Sequence, residues 1–296
     1  METLCHHMEK RALNLDRIID YCRREPLPGA DAIARVLTAE YAEWLNSPPI
    51  DLVALADTFV HIVSTPDSAI GEACRQIAEA VMKWGGHPYH SVCHHAEVAT
   101  NAMVIAEISA RLNKPLGSHR RTLLLAASLA HDLHYDPTRA EAGPFQLEAI
   151  SASALDGIAE RCGVHPQDRA IMTALILATE PSFRSQLRSN SSGTGFPATL
   201  PDGLEPIARD PDVAELAPML SDADLLSSAG LTRPWHHIQR LRFEQETGTS
   251  LSASADLEFL NSVVGPGFLS LGGRYFDGNL ANLRAALTGA ISQAST

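Results

Sequence analysis

Histidine and aspartate side chains occur at three places in the sequence where their spacing suits metal binding. His90 and His94 lie four residues apart in GHPYHSVCHHAEV, so on a helix beginning there they would project from one face. His131 and Asp132 follow the apolar run RRTLLLAASLA, which predicts a buried helix. Because buried polar groups are costly unless partnered, a metal ion would offset the cost of burying this pair. The third place is Asp224, within SDADLL.

The predicted ligand set is His94, His131, Asp132 and Asp224. Imidazole nitrogens and carboxylate oxygens bind Zn, Mn, Fe or Mg to different degrees. A metal ion held there can bind a phosphoryl oxygen as a Lewis acid and lower the pKa of a water ligand from about 15.7 toward about 7. A leaving alkoxide needs a proton, and His90, on the same predicted helical face as His94, is the candidate donor. The pattern therefore predicts hydrolysis of a phosphoester.

The other histidines lack this context. His95 lies about 100° around the helix from His94, so we expect it to face elsewhere. Surface or core roles are predicted for His6, His7, His61, His87, His119, His236 and His237.

Apolar residues recur at helical spacing almost throughout, which predicts an all-α, multi-helix bundle. The predicted helices lie near residues 8–24, 30–45, 50–64, 67–84, 91–112, 119–133, 145–162, 167–179, 213–228, 234–246, 254–264 and 279–293. Residues 185–212 contain SNSSGTGFPATLPDG and predict a long loop, either functional or without a role. Residues 1–80 are predicted to be a helical N-terminal extension and residues 81–296 a catalytic domain. The extension would pack on the catalytic bundle or form a homodimer interface.

Net charge and cysteine content indicate which partners and which cellular location to expect. The 296 residues carry a net charge of −12, which argues against a nucleic-acid polymer because phosphate backbones are bound mainly through clustered Lys and Arg. A small phosphorylated substrate remains compatible, since a metal ion can meet its charge. The five cysteines form no C-x-x-C pair, so reduced thiols in the cytoplasm are expected. No signal peptide, membrane span or membrane partner is predicted.

The motifs resemble the HD superfamily of metal-dependent phosphohydrolases, and within it the class I cyclic nucleotide phosphodiesterases and their bacterial relatives, from about residue 87 to 268. YHSVCHHAEV is similar to Y-H-N-x-x-H-A-x-D-V, which implies His90 as proton donor and His94 as a metal ligand. AHDLHYD matches the H-D segment and implies that His131 and Asp132 bind the first metal, with Asp132 bridging to a second. SDADLL resembles the A-D-L element and implies Asp224, rather than Asp222, as the fourth ligand.

Weaker matches imply further site residues and also mark departures. FQLEAISASAL resembles L-E-N-H-H and implies Glu148 near a second metal's waters, and LILATEPSF resembles L-A-T-D-M-S at Thr179. In the segment His131 to Pro137, Tyr135 replaces a histidine that helps to organise those waters, with His134 beside it. In ADLEFLNSVVGPGF, Asp256 stands at the position of the purine-binding glutamine. Phe259 matches the base-clamping phenylalanine.

Three functions stay open from the sequence. The first is hydrolysis of a small phosphodiester, with a cyclic nucleotide as one example, and the second is a nucleotide phosphomonoesterase. The third is di-iron oxygenase chemistry, for which His134 and His165 would be extra ligands. A catalytically dead sensor is disfavoured because the ligand set is complete. Zinc is expected at the first metal position, with Mg or Mn at a second and Fe as the alternative. Arg139 and Arg184 are candidates for binding a phosphate, although solvated surface positions are the commoner role for arginine.

Overall fold

The structure, a computed structural model, describes residues 15–46, 50–63, 68–112, 115–136, 138, 143–191, 193, 195–197 and 199–294. In chain order the helices are α1 (residues 15–22), α2 (Ala30–Asn46), α3 (Leu52–Val63), α4 (Ala69–Trp84), α5 (Val92–Leu112), α6 (Ser118–Ala130), α7 (Gln146–Arg161), α8 (Pro166–Leu177), α9 (Arg184–Ser191), α10 (Glu205–Arg209), α11 (Pro211–Ala229), α12 (Arg233–Thr247), α13 (Ala253–Phe259), α14 (Leu271–Arg274) and α15 (Asp277–Ala294). A short 3-10 turn covers Pro181–Phe183, and a π-helical turn covers Leu260–Val264. The described residues contain no β-strand, only an isolated bridge between Gly86 and Ser91. The predicted all-α class is confirmed.

Helix α5 is the central helix of the bundle. Every residue from His94 to Ser109 is buried, so this helix is enclosed on all sides even though it carries polar residues such as Glu97 and Asn101. Helices α6 and α11 pack directly on it. The buried side chain of Asn101 ties α5 to α11, because its amide donates to the carbonyl of Ala223 at 3.0 Å and to Ser227 Oγ at 3.1 Å. Helix α11 is thus held in fixed register beside α5.

The hydrophobic core runs through both predicted domains. One cluster of buried side chains extends from Leu15 in α1 to Leu287 in α15, and α3 and α4 pack on α6 across the predicted boundary at residue 80. Helices on both sides of that boundary share one core. The division at residues 80 and 81 stays a proposal about roles, with the chemistry assigned to the second part.

The stretch predicted as a long loop contains helices. Residues 185–191 belong to α9, α10 follows at Glu205–Arg209, and α11 begins at Pro211, so the prediction of a loop over residues 185–212 is wrong for much of that stretch. Leu187 and Ile207 are buried in the core, which is the packing that stabilises these short helices against their polar composition. Residues 192, 194 and 198 lie outside the described residues, as does Arg139.

No helix in the part of the chain that the structure describes is both long and apolar enough to cross a membrane.

Candidate metal centre

His94 enters the site from the first turn of α5. Its ring is buried, and its Nε2 atom faces Asp132 Oδ2 at 3.4 Å and Asp224 Oδ1 at 3.3 Å. The neighbouring His95 is also buried but points away, and its Nδ1 donates to the carbonyl of Leu129 at 2.8 Å. The prediction that His95 faces elsewhere is thus confirmed by its separate partner.

His131 and Asp132 reach the site at the end of α6. The helix is buried from Thr122 to Ala130, and His131 follows it as the C-terminal cap residue with only 1% exposure. The Nδ1 atom of His131 donates to the carbonyl of Ser128 at 2.9 Å. This bond fixes the proton on Nδ1, so the Nε2 lone pair is available to a cation.

Asp222 and Asp224 lie on α11 but point in different directions. Asp222 is fully buried and accepts hydrogen bonds from Arg184, the backbone of Leu269, and the backbone and hydroxyl of Ser270. Asp224 instead faces the two histidines, with its side chain 25% exposed. The choice of Asp224 over Asp222 therefore agrees with the geometry, because the Asp222 carboxylate is already saturated with donors.

The four predicted ligands converge on one point. Their donor atoms all lie within 4.8 Å of one another, and His94 Nε2 and His131 Nε2 are 3.2 Å apart. His131 Nε2 is 3.0 Å from Asp132 Oδ2 and 3.6 Å from Asp224 Oδ1. Adjacent ligands of one ion bound at about 2.1 Å stand about 3.0–3.4 Å apart in octahedral or tetrahedral geometry. The donor set fits a divalent cation in both chemistry and spacing.

The charges of the cluster also favour the binding of a divalent cation. Burial opposes charging the His131 ring, but Asp132 and then Asp224 raise its pKa well above the ordinary value. Burial likewise opposes ionisation of Asp132 and Asp224, yet the histidines hold the pKa of both carboxyl groups below the usual range. Two partly buried carboxylates thus require positive charge beside them. A divalent cation bound to the imidazole lone pairs would supply that charge in place of protons.

His90 lies beside the cluster, but its placement on the helical face of His94 was predicted wrongly. Helix α5 begins at Val92, and His90 belongs to the turn before it, which Gly86 and Pro88 separate from α4. The imidazole nevertheless approaches the cluster, with Nε2 3.8 Å from Asp132 Oδ2. Its position follows from contacts with α12 rather than from helical spacing.

Glu246, in the last turn of α12, fixes that position and was missed in the sequence. Its Oε2 accepts the backbone N–H groups of Tyr89 at 2.8 Å and His90 at 3.0 Å, and its Oε1 accepts His90 Nδ1 at 2.5 Å. Burial would raise the pKa of Glu246, but these hydrogen bonds and the charge of His90 lower it overall, so the group is a carboxylate. With Nδ1 bound there, the Nε2 atom of His90 is the one directed at the cluster.

The same turn is braced from α12 by Arg242. Its guanidinium donates to the carbonyl groups of Pro88 and Tyr89 and to Ser91 Oγ, and it pairs with the buried carboxylate of Glu97 at 2.8 Å. Two charged residues of one helix therefore hold the turn that carries His90.

Tyr135 covers the face of the His90 ring. The two ring centroids are 3.6 Å apart with an interplanar angle of 22°, which is a stacked arrangement. The tyrosine thus occupies the space above His90, while Glu246 fixes the ring within its plane.

A cavity of about 700 Å³ opens onto the cluster. Asp132, Asp224 and His90 line it, as do Glu148 and Thr179. The Thr179 hydroxyl donates to the carbonyl of Ile176 at 2.7 Å, which is a helix-capping contact. The other lining residues include Tyr89, Tyr135, Leu147, Glu180, Leu225, His236, Arg240, Phe243, Asp256, Phe259 and Val263.

Several residues singled out in the sequence lie elsewhere. His134 is exposed with a left-handed backbone (φ 66°), and the exposed His165 caps α8 through a bond from the backbone of Gln167. Neither belongs to the group of donors that could hold a metal in the described residues, which removes the support these histidines gave to a di-iron site. Arg184 is neither a surface residue nor a phosphate ligand, since it is 4% exposed and pairs with Asp222 at 3.1 Å. The buried carboxylate of Asp222 accounts for the burial of Arg184, because a buried charge needs an opposite charge beside it.

Solved structures share this arrangement of helices. The chain matches the phosphodiesterase domain of the RhoPDE fusion protein from the choanoflagellate Salpingoeca rosetta with a TM-score of 0.53 and 15% sequence identity, over 88% of this chain and 93% of that one. It matches LmjPDEB1, solved in complex with IBMX, with a TM-score of 0.53 and 16% identity, over 93% of this chain and 91% of that one. No protein-family model and no curated protein matches the sequence. The structural likeness shows that the chain has the all-α fold of the choanoflagellate phosphodiesterase domain, as the resemblance in its motifs implied.

Proposed function

We propose that the protein is a metal-dependent hydrolase of small phosphodiesters, a class that includes cyclic nucleotides. The observation that carries the proposal is the convergence of four candidate metal donors, two of which line a cavity, beside an imidazole held by a carboxylate. The likeness in fold to a phosphodiesterase domain supports the same reaction class.

His94, His131, Asp132 and Asp224 would hold the metal ion. Two nitrogen and two oxygen donors suit zinc, and Mg or Mn would suit a second position shared through Asp132. When bound, the ion supplies Lewis acidity to a phosphoryl oxygen and to a water molecule. With their side chains 23% and 25% exposed, Asp132 and Asp224 are the members of the set that face the cavity.

His90 is proposed to protonate the leaving oxygen. Glu246 accepts a hydrogen bond from Nδ1–H, so in the imidazolium form of His90 the proton to be delivered lies on Nε2, the atom directed toward Asp132. Glu246 is thereby a positioning residue, because it acts through His90 and not on the substrate. Tyr135 and the turn held by Arg242 keep the ring in this orientation before the substrate arrives.

The first test joins metal content to turnover. Protein purified without added metal is analysed for zinc, manganese, magnesium and iron, and is then assayed with bis-(p-nitrophenyl) phosphate and p-nitrophenyl phosphate. Zinc, manganese or magnesium with faster turnover of the diester is the expected result. Faster turnover of the monoester would replace the proposal with the phosphomonoesterase, and iron without turnover of either ester would point to oxygenase chemistry.

A variant pair tests the proton donor. His90→Asn should lower kcat on the diester by about 10²–10⁴-fold, the usual range for general acid catalysis, with the metal retained. His61→Asn removes an exposed histidine of α3 far from the cluster in sequence and serves as the control. Full activity of His90→Asn with its metal bound would exclude this role.

A further inference from the structure

A second cavity, of about 470 Å³, lies away from the metal centre. Its described wall comes from α9, α10, α11, α14 and the last turn of α5, and it shares no residue with the wall of the cavity beside the cluster. Helix α11 borders both cavities, this one before residue 220 and the other from residue 224 onward. The volume lies within the range of about 300–1,000 Å³ that is usual for small-molecule sites.

Two guanidinium groups border this second cavity without an acidic partner. Arg209 ends α10 and Arg274 ends α14, and both residues are exposed. Within the part of the chain that the structure describes, no carboxylate lies at ion-pair distance from either one, and Arg274 Nε donates to the carbonyl of Phe268 at 3.4 Å. Glu215 is the acidic residue of the described wall, so two positive charges face one negative charge. The wall is thus positive although the chain carries a net charge of −12.

The acidic residues that lie nearest to these arginines in the sequence have other partners. Asp210 follows Arg209, but it accepts a hydrogen bond from Arg120 and caps the N-terminus of α11. Asp277 lies three residues after Arg274 and accepts a backbone N–H group at 2.9 Å. The two guanidinium groups therefore keep most of their N–H donors for an acceptor from outside the chain.

Much of the remaining wall is apolar. Leu271 is a large apolar side chain with 41% exposure, and Phe196 is half-buried and stacks on the buried Phe183 with an interplanar angle of 2°. Ile207 and Met219 are buried and border the cavity as well. An apolar group of a ligand could pack on these side chains and remove their surface from water.

We propose that this cavity binds a small amphiphile with one anionic group. Arg209 and Arg274 would hold the anionic head, and Phe196, Met219 and Leu271 would pack on the apolar body. A carboxylate and a phosphate monoester present the same chemistry to a guanidinium, because each offers oxygen acceptors that match its N–H donors. The inference does not depend on the proposed hydrolase, since the two cavities have separate walls.

Four probes separate the contribution of the head from that of the body. Octanoate and octyl phosphate carry both, 1-octanol lacks the charge, and acetate lacks the apolar chain. In isothermal titration calorimetry of the metal-loaded protein, octanoate or octyl phosphate should bind with a Kd at least about tenfold below those of 1-octanol and acetate. The tighter of the two identifies the head group. Absence of binding by both, or an equal Kd for 1-octanol or acetate, would overturn the proposal.

Variants place the probe in the cavity. Arg209→Gln and Arg274→Gln should each raise the Kd of the tighter probe about tenfold, because a charge-assisted hydrogen bond is lost. Arg35→Gln is the matched control, since it removes the same charge from an exposed position of α2 that does not border the cavity. Ala214→Leu should also weaken binding, because it fills the space and leaves both arginines in place. An unchanged Kd in the three cavity variants would refute the site.

EDTA separates this cavity from the metal centre. None of the described residues that border it belongs to the four candidate metal donors. The Kd of the tighter probe should therefore agree within about twofold with and without EDTA, as expected of sites that share no partner. Binding that is lost when EDTA is added would assign the anion to the metal ion instead and overturn the proposal.

Discussion

Asp222 and Asp224 are two residues apart on α11, and exchanging each for Asn should damage the protein in different ways. Asp222 Oδ2 accepts the Ser270 backbone and hydroxyl at 2.7 Å each, and Oδ1 accepts Arg184 Nη2 at 3.1 Å. An asparagine has one acceptor oxygen. If that oxygen keeps the Ser270 bonds, its NH₂ group faces the guanidinium and leaves a buried cation without its counter-charge.

The loss of stability expected for Asp222→Asn follows from that unpaired charge. Removing one partner of a buried ion pair costs about 3–5 kcal/mol, out of a total stability that is usually about 5–15 kcal/mol. The entropy of unfolding of 296 residues is about 0.6 kcal/mol per degree, so Asp222→Asn should lower Tm by about 5–8 °C. The metal content should stay at the wild-type level because Asp222 contributes no atom to the cluster.

Asp224→Asn should instead lower the metal content, and its loss of stability should depend on the metal. The variant removes one donor from the cluster, so metal content falls and the stabilisation contributed by the bound metal falls with it. Calorimetry with and without EDTA, together with elemental analysis, separates the two variants. In EDTA, Asp222→Asn should still melt below the wild type, whereas the deficit of Asp224→Asn should shrink. Loss of metal from Asp222→Asn, or its retention by Asp224→Asn, would refute the assignment of the two carboxylates.

Three further predictions concern the surroundings of the cluster. Glu246→Gln should lower kcat by about 10–100-fold with KM little changed, because an amide cannot accept both backbone N–H groups and the hydrogen bond from His90 Nδ1. Single-substrate kinetics check this, and an effect on KM alone would contradict it. Tyr135→Phe keeps the stacked ring and should retain kcat, whereas Tyr135→Ala should lower kcat severalfold. Equal kcat values for the two variants would show that the stacked ring does not position His90. For Glu148, the folded-state pKa of about 7 lies above the ordinary glutamate value of 4.5, so its contribution to stability is fully present below about pH 4.5 and is lost as pH rises through about 7. In EDTA, Glu148→Gln should therefore melt above the wild type at pH 8 and not at pH 4, and thermal melts that run parallel at both pH values would exclude the shift.

The candidate metal ligands His131, Asp132 and Asp224 could be selected from the sequence because each follows an apolar run. An apolar segment such as residues 120–130 must be buried, so the polar pair that ends it is carried into the interior, where it needs a partner. Asp224 follows the same reasoning on α11, whereas His94 was singled out by its spacing of four residues from His90. The helical class followed from periodicity that extends over most of the chain.

The contacts that orient His90 could not be located in this way. Glu246 lies 156 residues after His90, in the polar helix α12, and nothing in its local sequence separates it from a solvated surface carboxylate. Arg184 is a similar case, since its buried guanidinium donates to Ser221 and Asp222 of α11, which lie 37 and 38 residues away in the sequence. Such pairs are set by the packing of distant helices. The start of α5 was different, because Gly85, Gly86 and Pro88 marked a break that the spacing of His90 and His94 concealed.

The helical period also determines how many metal ligands the segment SDADLL can supply. Residues two apart on a helix point about 200° apart, so Asp222 and Asp224 cannot both reach one ion. The period therefore predicts a single ligand from this segment, but it does not say which aspartate faces α5. That choice depends on Leu269 and Ser270, whose two backbone N–H groups and the Ser270 hydroxyl donate to Asp222 and so turn that face of α11 toward the end of the chain. Asp224 is left on the opposite face with the histidines, and the saturation of one carboxylate is the reason that the other is available to a metal.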